Sequence, residues 1–287
     1  MNICLYYQSG GNNHMKPIRS LDICKTFIEC QNLRPQDLTA PPLPVVTISR
    51  ATGARGVTIS DLLCEYLQSN EPEPTPPWTV FDRNLIEQVV ADHDLPASMA
   101  KFMPEDHRPM ISSAIEEMLG LHPSPYDQVR QTAETVLRLG HMGRAIIVGR
   151  GSQMLLSEMP QVLHVRITGS RNRRAQHLVE YYHLSPAAAI EMLEREDTAK
   201  RRYMRAHYHC DIDDPTLYHL VVNTDRLTSE DAATLIGDAV FRLTQRLDAA
   251  HHLTTSAGES AEPEPNLTEQ AETYHPNPDY VSSETDN

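Results

Sequence analysis

The feature of this chain that most constrains its fold is a set of short apolar runs that alternate with segments of helical periodicity. The runs lie at residues 45–49 (VVTIS), 78–82 (WTVFD), 145–149 (AIIVG), 162–168 (VLHVRIT) and 218–223 (YHLVVN). Short runs rich in β-branched residues are typical of strands that are buried on both faces of a parallel sheet. Helices between parallel strands form right-handed crossovers that cover both faces. The alternation therefore predicts an α/β fold with a parallel sheet between two helical layers.

Helical patterns occupy much of the sequence around these runs. They are predicted at residues 58–68, 85–91, 111–119, 126–139, 171–182, 186–205 and 229–247, with one further short helix at 21–30. In the first of them, Ile59, Leu63 and Tyr66 fall on one apolar stripe. Gly140 and Gly143 are typical of a helix end, so the pattern at 126–139 should stop there.

Composition divides the chain into three parts. Residues 1–44 are predicted to be an irregular leader, which ends in the proline-containing run APPLP, and a compact domain is predicted at 45–250. Residues 251–287 are predicted to be a disordered acidic tail. From residue 254 onward this segment is rich in Pro, Glu, Ser and Thr and has no Lys or Arg. Such a segment buries too little apolar surface to offset the entropy lost on ordering.

Charge and apolar content argue against several classes of function. The formal net charge is −14, which disfavours general nucleic-acid binding through phosphate contacts. No apolar run approaches the ~18 residues that cross a bilayer, and no signal-peptide pattern is present, so no membrane partner is expected. The five cysteines are scattered and form no CxxC pair. Reduced thiols and a cytoplasmic location are therefore expected.

Arginines follow the carboxyl ends of three predicted strands, where open parallel sheets bind their ligands. The first strand is followed by SRATGARGVT (residues 49–58), a loop that opens a helix and can present backbone N–H groups to phosphate. The strict pattern GxxxxGK[ST] is absent, and a plain strand-to-helix turn is the commoner meaning of such a loop alone. The arginines at the three strand ends are Arg50 or Arg55, Arg83 and Arg150. Like charges that converge in an acidic protein predict a phosphorylated ligand between them.

A second basic region lies on the two predicted helices that follow the fourth strand. Its cations are Arg171, Arg173, Arg174, Lys200, Arg201, Arg202 and Arg205. Any one of these side chains is more often part of a solvated helix face. Together they fit a mobile helical lid, at about residues 171–210, that closes over a nucleotide and supplies cations to a transferring phosphoryl group.

Two other patterns carry little weight. One is a group of possible metal ligands, His207, His209, Cys210, Asp211 and Asp213, whose spacing matches no closed zinc pattern. The other concerns nucleophilic hydrolysis, which is disfavoured because there is no GxSxG motif and no Cys or Ser that pairs with a positioned His.

Taken together, the motifs resemble the cytidylate kinase-like family of P-loop nucleoside monophosphate kinases. The resemblance is carried by VVTISRATGARG, FDRNLIEQV, AIIVGRGSQMLL, the arginine-rich helices with Asp197, and YHLVVNT. It spans about residues 45–247 and implies a three-layer P-loop kinase fold with a parallel sheet and a helical lid. It also implies ATP-dependent phosphorylation of a nucleoside monophosphate, with CMP or dCMP as the expected acceptor and ATP and Mg²⁺ as cofactors.

The resemblance further implies roles for individual residues. The ATP phosphates would be bound by the first loop, through Ser49, Arg50, Gly53, Ala54, Gly56, Val57 and Thr58. The hydroxyl group of Thr58 would lie near the Mg²⁺ ion. The acceptor monophosphate would be bound by Asp82, Arg83, Gly149 and Arg150. The catalytic cations would be Arg55 in the loop and, in the lid, Arg174, Arg201 and Arg202.

Four positions depart from the family pattern: Arg50, Arg55 and Gly56 in the first loop, and Gly151 after the third strand. Gly56 stands where the loop GxxGxGKGT has its lysine, and Arg50 stands at the first glycine of that loop. Arg55 is therefore the expected substitute for the charge of the lysine. Gly151 stands where cytidylate kinases have an Asp that helps to read cytosine. The alternative function is a nucleotide-binding regulatory protein that has kept the fold and lost turnover.

Overall fold

Five strands pair in parallel as one sheet: β1 (Val45–Arg50), β2 (Thr79–Phe81), β3 (Ala145–Val148), β4 (Val162–Thr168) and β5 (Leu220–Asn223). Their order across the sheet is β2-β3-β1-β4-β5. The computed structural model describes residues 21–33, 40–71, 76–91, 99 and 126–259. The predicted α/β class with a parallel sheet is confirmed.

Eight α-helices lie within the described residues. They are α1 (Leu21–Leu33), α2 (Gly56–Asn70), α3 (Arg83–Ala91), α4 (Tyr126–Met142), α5 (Ser152–Leu155), α6 (Arg171–Tyr182), α7 (Pro186–Tyr208) and α8 (Ser229–Glu259). A 3₁₀ turn, Pro215–Leu217, precedes β5. The short α5 was not predicted, and α8 continues past the predicted end at residue 247. The helix predicted at 111–119 lies outside the described residues.

Alternating side chains of β1 face two different apolar layers. Val45 belongs to a cluster that Phe27 of α1 shares with side chains of α3 and α4. Val46 belongs to a second cluster, with Ile59 of α2 and Ile236 of α8. This period of two is what a strand buried on both faces requires, because each side chain must find an apolar neighbour on its own side. The predicted leader thus contributes one helix, α1, to the core.

The chain divides into two compact units, residues 1–248 and residues 249–287. The described part of the second unit is helical and ends at Glu259. Residues 251–259, which were predicted to belong to a disordered tail, therefore form the end of α8. The rest of the predicted tail, 260–287, lies outside the described residues. None of the described helices is both long and apolar enough to cross a membrane.

Candidate functional site

A cavity of about 420 Å³ lies beside the residues that follow β1, β2 and β3. The loop after β1 contributes Thr52, and the turn after β3 contributes Gly149 and Gly151. Helix α7 closes the opposite side with Met192 and Tyr203. The cationic side chains that line the cavity are Arg50, Arg83, Arg150 and Lys200. Cations from three strand ends and from α7 therefore meet at one edge of the sheet.

Two of these cations share one carboxylate. Arg83 Nε donates to Glu87 Oε1 at 3.1 Å, and Arg150 Nη2 donates to the same oxygen. Burial opposes ionisation of Glu87, but the hydrogen bonds and charges of the two arginines outweigh it and hold its pKa below the ordinary value. Glu87 therefore stays ionised and occupies the position of an anion between the two guanidinium groups.

The turn after β3 presents Arg150 in an unusual backbone conformation. Gly149, Arg150 and Gly151 all have positive φ angles, of 88°, 60° and 66°. The hydroxyl group of Tyr208 donates to the Arg150 carbonyl at 3.4 Å. A Cβ on Gly151 would overlap the ring of Tyr208. An Asp at this position, where the family pattern has one, would therefore require the Tyr208 ring to move.

The side chain of Arg50 crosses the position of the missing loop lysine. A Cβ on Gly56 would lie 2.8 Å from both Cβ and Cγ of Arg50, closer than side chains tolerate. The same side chain reaches the turn after β3, because a Cβ on Gly149 would overlap the Arg50 guanidinium group. The arginine at position 50 and the glycine at position 56 therefore depend on each other, because the Arg50 side chain fills the region that a larger residue at 56 would need.

Helices α6 and α7 are fastened to the first loop by a buried network, which we call the loop clasp: Thr52, Arg174, Asp197 and Lys200. The Thr52 N–H donates to Asp197 Oδ1 at 2.8 Å. Arg174 Nη1 donates to Asp197 Oδ2 at 2.6 Å and to the Thr52 carbonyl at 2.9 Å. Lys200 Nζ donates to Thr52 Oγ1 at 2.6 Å and lies 3.6 Å from Asp197 Oδ1. Both lid helices therefore hold the loop that follows β1.

Two groups of the loop clasp have shifted pKa values. Burial alone would raise the pKa of Asp197, but hydrogen bonds from Thr52 and Arg174 and the charge of Lys200 hold it below its ordinary value. Burial, and then the charge of Arg50, lower the pKa of Lys200 to about 8. Asp197 is thus a stable counter-charge, whereas Lys200 loses its proton far more easily than an exposed lysine does.

A glycine makes this close approach of loop and lid possible. Gly53 has a φ of +75°, and a Cβ there would lie 2.5 Å from the carbonyl oxygen of Arg174. Replacing Gly53 with alanine should lower the free energy of unfolding by about 2 kcal/mol, because left-handed backbone strain and a backbone clash add together. Chemical denaturation measures this loss. A Gly53→Ala variant as stable as wild type would show that α6 does not rest on the loop.

A further chain of ion pairs connects β4 to the end of the lid. Arg166 is only 6% exposed. Its guanidinium donates to Ser49 Oγ at 2.9 Å and to Asp213 Oδ1 at 2.6 Å. Arg201 Nε lies 3.3 Å from the other oxygen of Asp213. Arg205 pairs separately with Asp211 at 3.2 Å. Asp211 and Asp213, two of the possible metal ligands, thus form ion pairs with arginines. The described residues contain no group of three or more His, Cys, Asp or Glu placed to share a metal ion.

The residues expected from the sequence fall into two sets. Those that line the cavity are Ser49, Arg50, Arg83, Gly149 and Arg150. The others lie outside its lining: Gly53, Ala54, Arg55, Gly56, Val57, Thr58, Asp82, Arg174, Arg201 and Arg202. Asp82 caps α3 by accepting from the Leu85 N–H at 2.9 Å. Arg202 is exposed on α7. The functional roles of both sets stay predictions.

The sequence placed Lys200 among the lid cations but gave no role to Glu87, Gln153 or Tyr208, which the structure also brings to the site. Glu87 could have been found by helical spacing, since it is four residues after Arg83. Gln153, which is buried and lines the cavity, and Tyr208 gave no such signal. Their contacts depend on how α5 and α7 pack, which no local pattern specifies.

Comparison with known proteins supports the resemblance seen in the motifs. The family model described as "Cytidylate kinase-like family" matches residues 45–226. An uncharacterized protein from Eubacterium ventriosum has a similar fold, with a TM-score of 0.51 and 16% identity over 72% of this chain and 98% of that one. A shikimate kinase from Bacteroides thetaiotaomicron has a TM-score of 0.39 and 10% identity over 69% of this chain and 98% of that one.

One curated protein is also similar in part of its sequence. A uronate isomerase from Corynebacterium glutamicum is 27% identical over 97 residues. The match covers 34% of this chain and 19% of the isomerase, so the chain spans only about a fifth of that relative. A match of this extent and identity shows no shared activity.

Proposed function

Because the chain belongs to the cytidylate kinase-like family, we propose that it transfers the γ-phosphoryl group of ATP to a nucleoside monophosphate, with CMP or dCMP as the expected acceptor. The observation that carries this proposal is the convergence of Arg50, Arg83, Arg150 and Lys200 on one cavity. Cations brought together in a protein with a net charge of −14 are best explained by an anionic ligand. Phosphoryl transfer needs little more than such positioning and charge neutralisation.

The cavity offers different chemistry at its two sides. Arg83 and Arg150 would hold the acceptor phosphate in place of Glu87, which now lies between them. Met192, Met204 and Tyr203 form an apolar wall that suits a planar base. A volume of about 420 Å³ falls in the range of small-molecule sites. The arrangement supports a ligand with a phosphate at one end and an aromatic ring at the other.

The donor set also fits the proposed cofactors. Thr58, in the first turn of α2, would give its hydroxyl oxygen to Mg²⁺, which takes few protein ligands when phosphates supply the rest. The metal would neutralise charge on the phosphates of ATP. The chain would orient both nucleotides and exclude water from the transferring group.

A coupled assay that detects ADP, run with each nucleoside monophosphate in turn, tests the proposal. We expect turnover with CMP or dCMP and little with the other monophosphates. A preparation of the double variant Arg83→Ala/Arg150→Ala, purified in parallel, controls for a contaminating kinase. Absence of turnover with every monophosphate would refute the phosphotransferase proposal.

One observation favours the alternative, a nucleotide-binding regulator without turnover. Arg50 covers Gly56, so the loop has no room for its usual lysine. The regulator predicts that calorimetry detects binding of MgATP and of CMP while the coupled assay detects no ADP. The kinase predicts binding and turnover together, so the two measurements distinguish the functions.

A further inference from the structure

The structure excludes a lysine at position 56 unless Arg50 moves, because a Cβ on Gly56 would lie 2.8 Å from two Arg50 carbons. P-loop enzymes use the lysine at that place to neutralise charge on the β- and γ-phosphates. An active site of this kind therefore needs another mobile ammonium or guanidinium group beside the same loop.

Lys200 of α7 lies at that loop. Its Nζ donates to Thr52 Oγ1 at 2.6 Å, and both residues line the cavity. The side chain is 25% exposed, so it is largely desolvated but still reaches the space that a ligand would occupy. Lys200 also lies 3.6 Å from Asp197 Oδ1. Phosphate oxygens that entered the cavity would replace the neutral Thr52 hydroxyl with a charge-assisted hydrogen bond and leave the ion pair with Asp197 in place.

The other candidate cations are less well placed. Arg174 is held by Asp197 and two carbonyl groups, of Thr52 and Gly169. Arg201 pairs with Asp213 and does not line the cavity. Arg55 was the expected substitute for the lysine, but it too lies outside the cavity lining. The pKa of His177 on α6 is lowered by burial and, second, by the charge of Arg55. Arg55 therefore lies near α6.

We propose that Lys200 is the catalytic cation that replaces the loop lysine, binding the β- and γ-phosphates of ATP from the lid helix. The inference rests on the proposed function for its substrate. In that reaction the bond from the γ-phosphorus to the bridging oxygen of ATP breaks, and an oxygen of the acceptor monophosphate bonds to the phosphorus. Lys200 stays protonated throughout and stabilises the charge that passes to ADP.

Calorimetry with MgATP tests the assignment apart from turnover. Lys200→Met keeps the length of the side chain and removes its charge, so MgATP should bind about 10- to 100-fold more weakly than to wild type. Arg242→Ala is the control, because it removes one exposed positive charge from α8, outside the cavity lining. That variant should bind MgATP within about twofold of wild type. Thermal melting of each variant confirms that it is folded.

The pH dependence of binding gives a second readout. Five groups surround Lys200: Glu196 and Asp197 on α7, Arg50 at the end of β1, Thr52 in the loop and, through Asp197, Arg174 on α6. Of these groups Lys200 is the one whose pKa lies between 7 and 9, since the pKa of Asp197 is held below its ordinary value and guanidinium groups do not lose their proton in proteins. Its pKa of about 8 predicts that wild-type affinity for MgATP falls as pH rises through that value. Lys200→Arg should not show this fall.

These measurements separate the inference from the proposed function. If Lys200→Met binds MgATP as tightly as wild type, or if wild type binds no MgATP at all, the assignment of Lys200 is wrong. If wild type binds MgATP but transfers no phosphate, the kinase proposal fails and the binding data still decide the role of Lys200. If turnover falls in Arg55→Ala but not in Lys200→Met, Arg55 is the substitute cation and the inference is overturned.

Discussion

Replacing Arg150 with alanine should weaken binding of the acceptor monophosphate by about 2 kcal/mol, or roughly 30-fold. Arg150 lines the cavity and points its guanidinium group at the same carboxylate as Arg83, so an acceptor phosphate in that position would contact both. Binding of MgATP should change far less, because the proposed ATP contacts lie on the first loop and on α7. Calorimetry with CMP and with MgATP measures the two effects separately.

The backbone at Arg150 requires a specific control. Its φ of 60° is unfavourable for alanine and lysine as well, so Arg150→Lys keeps the backbone strain and the charge but loses the planar fork of donors. We expect Arg150→Lys to bind CMP with an affinity between those of wild type and Arg150→Ala. If Arg150→Ala loses affinity for CMP and for MgATP by the same factor, Arg150 does not belong to the acceptor site.

The strands of the sheet could be predicted from the sequence because each one is marked by a short run of consecutive apolar residues. Each strand of the structure falls within one of the apolar runs or ends one residue beyond it, and the predicted 162–168 coincides with β4. A buried parallel strand must be apolar on both faces, and that requirement is visible in a few consecutive residues. The end of α8 was missed because residues 248–259 have no apolar stripe from which a helix could be predicted.

The site was only partly predictable, because its contacts join residues distant in sequence. The arginines at the strand ends follow from topology, since parallel strands end at one edge of the sheet. The contact between Lys200 and Thr52 spans 148 residues and depends on how α7 folds back over β1. The overlap between Tyr208 and any side chain at 151 is of the same kind. The sequence alone showed that positions 56 and 151 are glycine where the family pattern has larger residues. The structure shows that Arg50 and Tyr208 fill the space beside them.

Replacing Asp197 with alanine should lower the free energy of unfolding by about 3–5 kcal/mol, since it leaves two largely buried cations without their counter-charge. The Asp197 side chain is 8% exposed, and it accepts from Arg174 and from the Thr52 N–H. Asp197→Asn keeps an acceptor for the Thr52 N–H and should lose less. Asp211→Asn is the control, because Asp211 pairs with Arg205 at an exposed position and its loss should not measurably change stability.

The same carboxylate should also make stability depend on pH. The pKa of Asp197 is held below its ordinary value in the folded chain, so the unfolded chain binds its proton first as pH falls. The stabilisation is complete above the unfolded value of about 3.9 and is lost as pH falls through the lower folded value. Wild type should therefore lose its stability advantage over Asp197→Asn in strong acid and keep it at pH 7. Urea denaturation of both variants across this range measures the difference, and an advantage that does not change with pH would show that Asp197 is not ionised in the loop clasp.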